Sequence, residues 1–135
     1  MKNLTKFIGI IAFVAVIGFS MVSCEIDEKD YEMLNGDWEV SSGVFVVTIT
    51  NDVGVFKQIT GGNFKIALDN GNVRIGDRKF RNIKKTGDLT WSAQERLVEV
   101  GTGVLADWAD ITMTLSANGQ TLYTSGSGSL TYTKR

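Results

Sequence analysis

The 135-residue chain has no histidine, no proline and a single cysteine, Cys24. Each absence removes a class of function. Without histidine there is no Ser-His or Cys-His nucleophilic system and no His-ligated zinc site. One cysteine allows no disulfide framework, no thiolate zinc site and no CxxC redox pair. No GxGxxG or P-loop pattern occurs, so nothing points to a nucleotide cofactor. The expectation is a non-enzymatic protein that needs no cofactor and no metal. Charge is also scarce in sum, at −1. All 15 acidic residues follow Cys24, whereas Lys2 and Lys6 precede it. Without residues 1–23, twelve basic residues face 15 acidic ones, a formal charge of −3. That mild acidity argues against nucleic acid as a partner.

What is present begins with the N-terminus. Lys2 and Lys6 give a positive start, and Phe7 to Phe19 is uncharged and mostly apolar. Small residues then lead to the lone cysteine, completing the three parts of a secretory signal. Met21-Val22-Ser23-Cys24 resembles the lipobox of bacterial lipoproteins, with Met21 standing where Leu is usual. The resemblance implies a diacylglyceryl thioether on Cys24, cleavage after Ser23 and acylation of the new amino terminus. A thiolate suits that attack as a soft nucleophile. Each buried CH₂ of a chain contributes roughly 0.8 kcal/mol, and one chain anchors only marginally, so two or three make membrane residence effectively permanent. The resemblance places the protein in the cell envelope, lipid-anchored to a bacterial membrane and facing the periplasm or the exterior. Two other readings stand beside it. The uncharged span from Phe7 to Cys24 approaches the ~18 residues of a transmembrane helix, and Cys24 can pack as a small hydrophobe. The organisation expected is a signal peptide over 1–23, with a signal helix, an acidic tether over 24–33 and one β domain over 34–135.

From Leu34 onward the hydrophobic period is two. Trp38 and Val40 share one face, with Asp37 and Glu39 on the other. Phe45, Val47 and Ile49 alternate in a β-branched run. Asn51-Asp52-Val53-Gly54 turns the chain, and Val55 to Ile59 pairs back. Phe64, Ile66 and Leu68 predict a further half-buried strand. Asn70-Gly71 then predicts a type I′ hairpin, with Val73 and Ile75 continuing inward. Lys79 to Lys84 forms another strand, followed by Leu89, Trp91 and Ala93. Arg96, Val98 and Val100 alternate in a shifted phase, which a β-bulge near Gln94 accommodates. Ser92-Ala93-Gln94-Glu95 also matches a helix capping box. Residues 101–109 read as the longest irregular piece. Ile111, Met113 and Leu115 alternate, Asn118-Gly119 turns, and Leu122, Thr124, Leu130 and Tyr132 complete the pattern. Eight to ten short strands joined by tight turns predict an all-β fold, either a small antiparallel meander barrel or a sandwich.

Leu34-x-Gly36-x-Trp38 at the start of such a meander resembles the opening of lipocalin-like (calycin) proteins. That resemblance implies a barrel whose first-strand tryptophan, Trp38, closes one end under a late basic residue, Arg135 or Lys134. It also implies an interior able to hold a small apolar ligand, bordered by Phe45, Phe64, Ile66, Trp91, Met113 and Tyr132. Those side chains are large, and a core filled by them is the alternative.

Three further features bear on function. Arg74, Arg78, Lys79, Arg81, Lys84 and Lys85 form a basic run. It suits an anionic partner, but it is more economically read as charge protecting an edge strand, with Lys79 and Arg81 pointing one way and Lys84 the other. Trp108, between Asp107 and Asp110, suits stacking on a sugar or a protein partner, or folding back as a lid. Asp37 and Glu39 are too solvent-facing to serve as an acid/base pair. The expected function is therefore a membrane-anchored, non-catalytic binding module for a small apolar or glycan ligand, with Trp91, Trp108 and Tyr132 as contact residues. The alternative is a structural or protein-interaction lipoprotein of the envelope with a solid core.

Overall fold

The computed structural model describes residues 27–126 and 128–135. Eight strands close into one antiparallel barrel in simple sequence order. They are β1 (Gly36–Val40), β2 (Phe45–Thr50), β3 (Val53–Ile59), β4 (Arg78–Gly87), β5 (Thr90–Glu95), β6 (Ala109–Leu115), β7 (Thr121–Ser125) and β8 (Ser129–Lys134). One short helix, α1 (Gly62–Asp69), interrupts the meander between β3 and β4. Closure is made by β1 against β8, with Trp38 opposite Lys134 and Val40 opposite Tyr132. A closed sheet leaves none of these eight strands as a free edge. Alternation does the rest: Trp38, Val40, Val47, Ile49, Ile111, Met113, Leu115 and Leu122 all point into one core.

The two ends of the barrel differ. At one end the chain enters as a 3-10 turn, Glu28–Asp30, capped by Asp27. Tyr31 and Leu34 then insert into the core. The Tyr31 hydroxyl donates to the Ile83 carbonyl at 2.6 Å, and Trp91 Nε1 donates to the Asp30 carbonyl at 2.9 Å. So much of the acidic segment expected as a tether is a plug. Only Glu25 and Ile26 separate Cys24 from Asp27, a reach of at most about 10 Å. The opposite end carries the β1–β2 and β7–β8 turns, α1 and the long connection from β5 to β6.

Phe64 to Leu68 is helical, not a strand. Phe64 and Ala67 are buried, and Leu68 packs on the core. This is the i, i+3, i+4 spacing of a helix face, and over five residues it also reads as alternation. Asn70-Gly71 consequently makes no hairpin. Asn70 is the helix C-cap, and Gly71 follows with φ +79°. Gly71 N–H donates to Leu68 at 3.1 Å and Asn72 N–H to Ala67 at 2.8 Å. Those two bonds are the Schellman pattern, for which an Asn-Gly pair is equally suited. Val73 is buried but Ile75 is 51% exposed, and neither lies in a strand.

The bulge expected at Gln94 lies across from it. β5 runs in unbroken register against β6 from Thr90 to Glu95. The extra residue is in β4, where Arg81 faces Gln94 and Lys84 faces Ser92. Asn82 sits there at φ 55° and donates to Gln94 Oε1. Ser92–Glu95 is thus strand, and no helix begins there. After Glu95 the chain leaves the sheet, and Val98 forms only an isolated bridge to Leu105.

Candidate functional site

The α1 end is where the interior meets solvent. A cleft of about 390 Å³ opens there between the β1–β2 turn, α1, the start of the β5–β6 connection and the β7–β8 turn. Val40, Val44, Phe45, Phe64, Leu97 and Val98 form apolar walls, and Lys79 and Glu95 also line it. Glycine shapes this rim. Gly103, at φ +73°, lies so close to α1 that a Cβ would sit 2.7 Å from the Ala67 nitrogen. Asn72 Nδ2 donates to the Gly103 carbonyl, and Asn63 Oδ1 accepts from Gly101 N–H, both at 2.9 Å. The β5–β6 connection is thereby stitched along the helix.

Lys79 and Glu95 are the unexpected pair. Glu95 continues the inward phase of Trp91 and Ala93. Lys79 arrives by a bulge: Val55 faces Arg78 and Gly54 faces Phe80, so Lys79 is the extra residue. A bulge re-aims a side chain, and here both Lys79 and Phe80 are buried. The reading of Lys79 as a solvent-facing edge charge is therefore wrong on both counts. Its ammonium donates to Glu95 Oε2 at 2.8 Å and to the Arg96 carbonyl at 3.1 Å. It lies 4.6 Å from the Phe64 ring centroid and 5.6 Å from those of Phe45 and Phe80. Burial pulls the Lys79 pKa below its ordinary value, and Glu95 acts against that pull.

Tyr132 lies deeper in the same interior. Its ring packs edge-on against Phe45 and Phe80. Its hydroxyl is buried with no hydrogen-bond partner among the described residues. Burial first, and the Glu95 charge second, push its pKa well above 10.0. An unfolded tyrosine releases its proton near pH 10, while the folded one keeps it. Folding therefore retains a proton that unfolding loses, and stability falls as pH rises beyond about 10. Tyr132→Phe is expected to match the wild type or exceed it by up to about 1 kcal/mol at pH 8, since an unpaired buried hydroxyl is lost. Its advantage should widen at pH 11. Urea titrations of both proteins at the two pH values check this, and a Tyr132→Phe loss above about 1 kcal/mol at pH 8 would reveal a hydroxyl partner.

The three residues expected to share a ligand are not brought together. Trp91 belongs to the plugged end, where Lys85 covers its ring at 4.6 Å. Tyr132 is core. Trp108 lies half-buried on the outer flank, with the guanidinium of Arg81 4.2 Å from its ring centroid and that of Arg96 at 5.4 Å. It is neither a lid over the cleft nor a free aromatic face. Ile66, expected inside, is only half-buried against Gly103. The basic run is divided among the interior, the flank and the plugged end. Trp38 lies at the plugged end, fully buried, and donates to the Leu34 carbonyl at 2.8 Å. The cation over its ring is Lys134 at 5.4 Å. Arg135 is exposed, with its guanidinium 4.0 Å from the Glu39 carboxylate. Asp37 is held on the outer face by Lys57 and Thr48, whose hydrogen bonds lower its pKa.

Among the described residues no group of three metal-ligating side chains occurs, and no helix is long and apolar enough to cross a membrane. Cys24 and the span from Phe7 to Val22 lie outside the described residues. In comparisons with known proteins, no family model, no curated protein and no solved structure matches this chain.

Proposed function

We propose that this protein is an envelope lipoprotein, held to a bacterial membrane by acyl chains on Cys24, whose lipocalin-like barrel binds a small apolar molecule in the α1-end cleft. One observation carries the binding reading. The barrel's middle is filled by its own side chains, yet at this one end apolar walls stay open around a buried ion pair. Ligand sites have this composition, mostly apolar with a few placed polar groups. An apolar ligand is favoured over a glycan because Arg81 already lies against the Trp108 ring. The simple meander order and a plugging Trp38 beneath Lys134 support the lipocalin-like assignment. The described chain enters the barrel at the end opposite the cleft, so an anchor on Cys24 would direct the cleft away from the bilayer.

The binding reading is tested with N-phenyl-1-naphthylamine, whose fluorescence rises in apolar sites. The probe should bind the wild type and lose at least about ten-fold in affinity with Leu130→Asp, which puts a charge at the mouth. Leu130 is 37% exposed, so the fold should survive. No probe binding, or binding indifferent to the substitution, would favour a structural protein with a solid core. The anchor is tested separately by intact mass of protein from its native membrane. Loss of residues 1–23 with added acyl mass is expected, and Cys24→Ala should lack it. An uncleaved, unmodified chain would instead make residues 7–22 a transmembrane anchor.

A further inference from the structure

We propose that Lys79 is a covalent capture site for apolar aldehydes and ketones, which it holds as a protonated imine paired with Glu95. This rests on the reading of the cleft as a ligand site.

Three observations lead to it. First, the pair stands where a barrel core has no need of it. Replacing a buried ion pair by apolar residues of similar volume is often neutral or stabilising. Yet β4 bulges to turn Lys79 inward among Phe45, Phe64 and Phe80. Second, the cation is lysine. Arginine is the better partner for a purely structural buried pair, whereas lysine in an apolar site gives up its proton readily and becomes a nucleophile. The lowered Lys79 pKa agrees with this. Third, the surroundings suit the product. Of the three ammonium N–H bonds, Glu95 and the Arg96 carbonyl take two. Phe64, whose ring centroid is 4.6 Å from the ammonium, lines the cleft together with Lys79 and Glu95. An incoming carbonyl approaches there, with its apolar body between Phe64 and Val44.

The step balances within the pair. Glu95 takes one ammonium proton, and the neutral amine attacks the carbonyl carbon. The C–N bond forms as the C=O pair moves to oxygen. A second proton passes from nitrogen to that oxygen, giving the carbinolamine. Glu95 returns its proton to the hydroxyl, which leaves as water through the cleft while the nitrogen lone pair closes C=N. One N–H remains on a positively charged imine, and the Glu95 carboxylate again faces a cation. No other reactant is needed.

The test uses the mature chain with limiting cinnamaldehyde at pH 7 and cyanoborohydride, which reduces an imine to a stable secondary amine. Peptide mapping should place the adduct on Lys79 at least about ten-fold above any of Lys29, Lys57, Lys65, Lys84, Lys85 or Lys134. Adduct spread over those surface lysines would overturn the proposal without any variant. Lys79→Arg keeps the charge, and with its fold verified by circular dichroism it should lose the selective adduct. Calorimetry with cinnamyl alcohol, which binds but cannot condense, separates the two levels. Alcohol binding without a Lys79 adduct overturns the capture step and leaves the cleft a ligand site. Neither binding nor adduct overturns both.

Discussion

Glu95→Gln is expected to lower the unfolding free energy by about 3–5 kcal/mol at pH 7, the usual effect of removing one partner from a buried pair. Lys79 and Glu95 side chains are only 2% and 7% exposed. The loss therefore comes from an ammonium left in an apolar cage, not from a screened surface contact. A domain of this size has roughly 5–15 kcal/mol in total, so the variant should sit near the edge of folding. The pH dependence is diagnostic. Burial already lowers the Lys79 pKa, and Glu95 is what opposes burial. Without the carboxylate the folded-state pKa falls further below 10.5. Between that value and 10.5 the unfolded chain binds more protons than the folded one, so stability rises with pH in that window. Urea unfolding should thus show Glu95→Gln regaining part of its loss from pH 7 to pH 9.5. The double variant Lys79→Met/Glu95→Leu should recover to within about 1 kcal/mol of the wild type or better. A Glu95→Gln loss below about 1 kcal/mol would mean that water reaches the pair and that the cage is not dry.

The second large effect is expected from Trp38→Ala, at about 3–5 kcal/mol. Trp38 is fully buried, its indole N–H is satisfied by Leu34, and Lys134 covers the ring from β8. Truncation leaves a cavity at the seam where β1 meets β8. It also frees the Leu34 carbonyl and uncovers Lys134. A thermal midpoint lower by more than about 10 °C should follow. Trp38→Phe keeps most of the volume and should fall well short of that. Arg135→Ala serves as the control: Arg135 is exposed and only loosely apposed to Glu39, so a change within about 0.5 kcal/mol is expected. If Arg135→Ala approached the effect of Trp38→Ala, the closing cation would be Arg135 and not Lys134.

The two expectations draw on different ends of one barrel, and the division has a structural basis. The plugged end is built from side chains whose donors are taken up by backbone carbonyls: Tyr31 by Ile83, Trp91 by Asp30, Trp38 by Leu34. The α1 end keeps its charged pair inside and its apolar walls open.

How far the residues alone led can be judged element by element. Strict alternation over β1, β2, β6 and β7 marked which side chains face inward, because a strand's period of two leaves no other way to bury them. The role expected of Trp38 came from the lipocalin-like resemblance of Leu34-x-Gly36-x-Trp38, not from periodicity. Glu95 stands in phase with Trp91 and Ala93, but a bulge expected near Gln94 broke that phase just before it. Lys79 was not legible. Its inward turn depends on a bulge, and a bulge exists only in the register between β3 and β4, which neither strand contains by itself. The helix at Phe64 escaped for a related reason. Five residues satisfy both periods, and only packing of Phe64 and Ala67 against the core selects one. Asn70-Gly71 then closes a helix instead of a hairpin, because a positive φ serves both. Residue type and local period were enough for an all-β meander of short strands and for its inward faces over β1, β2, β6 and β7, but left barrel and sandwich both open. Only tertiary structure decided that a lysine and a glutamate share the interior, that one end stays open and that Trp91, Trp108 and Tyr132 stand apart. Those are relations between strands distant in the chain, set by register and closure.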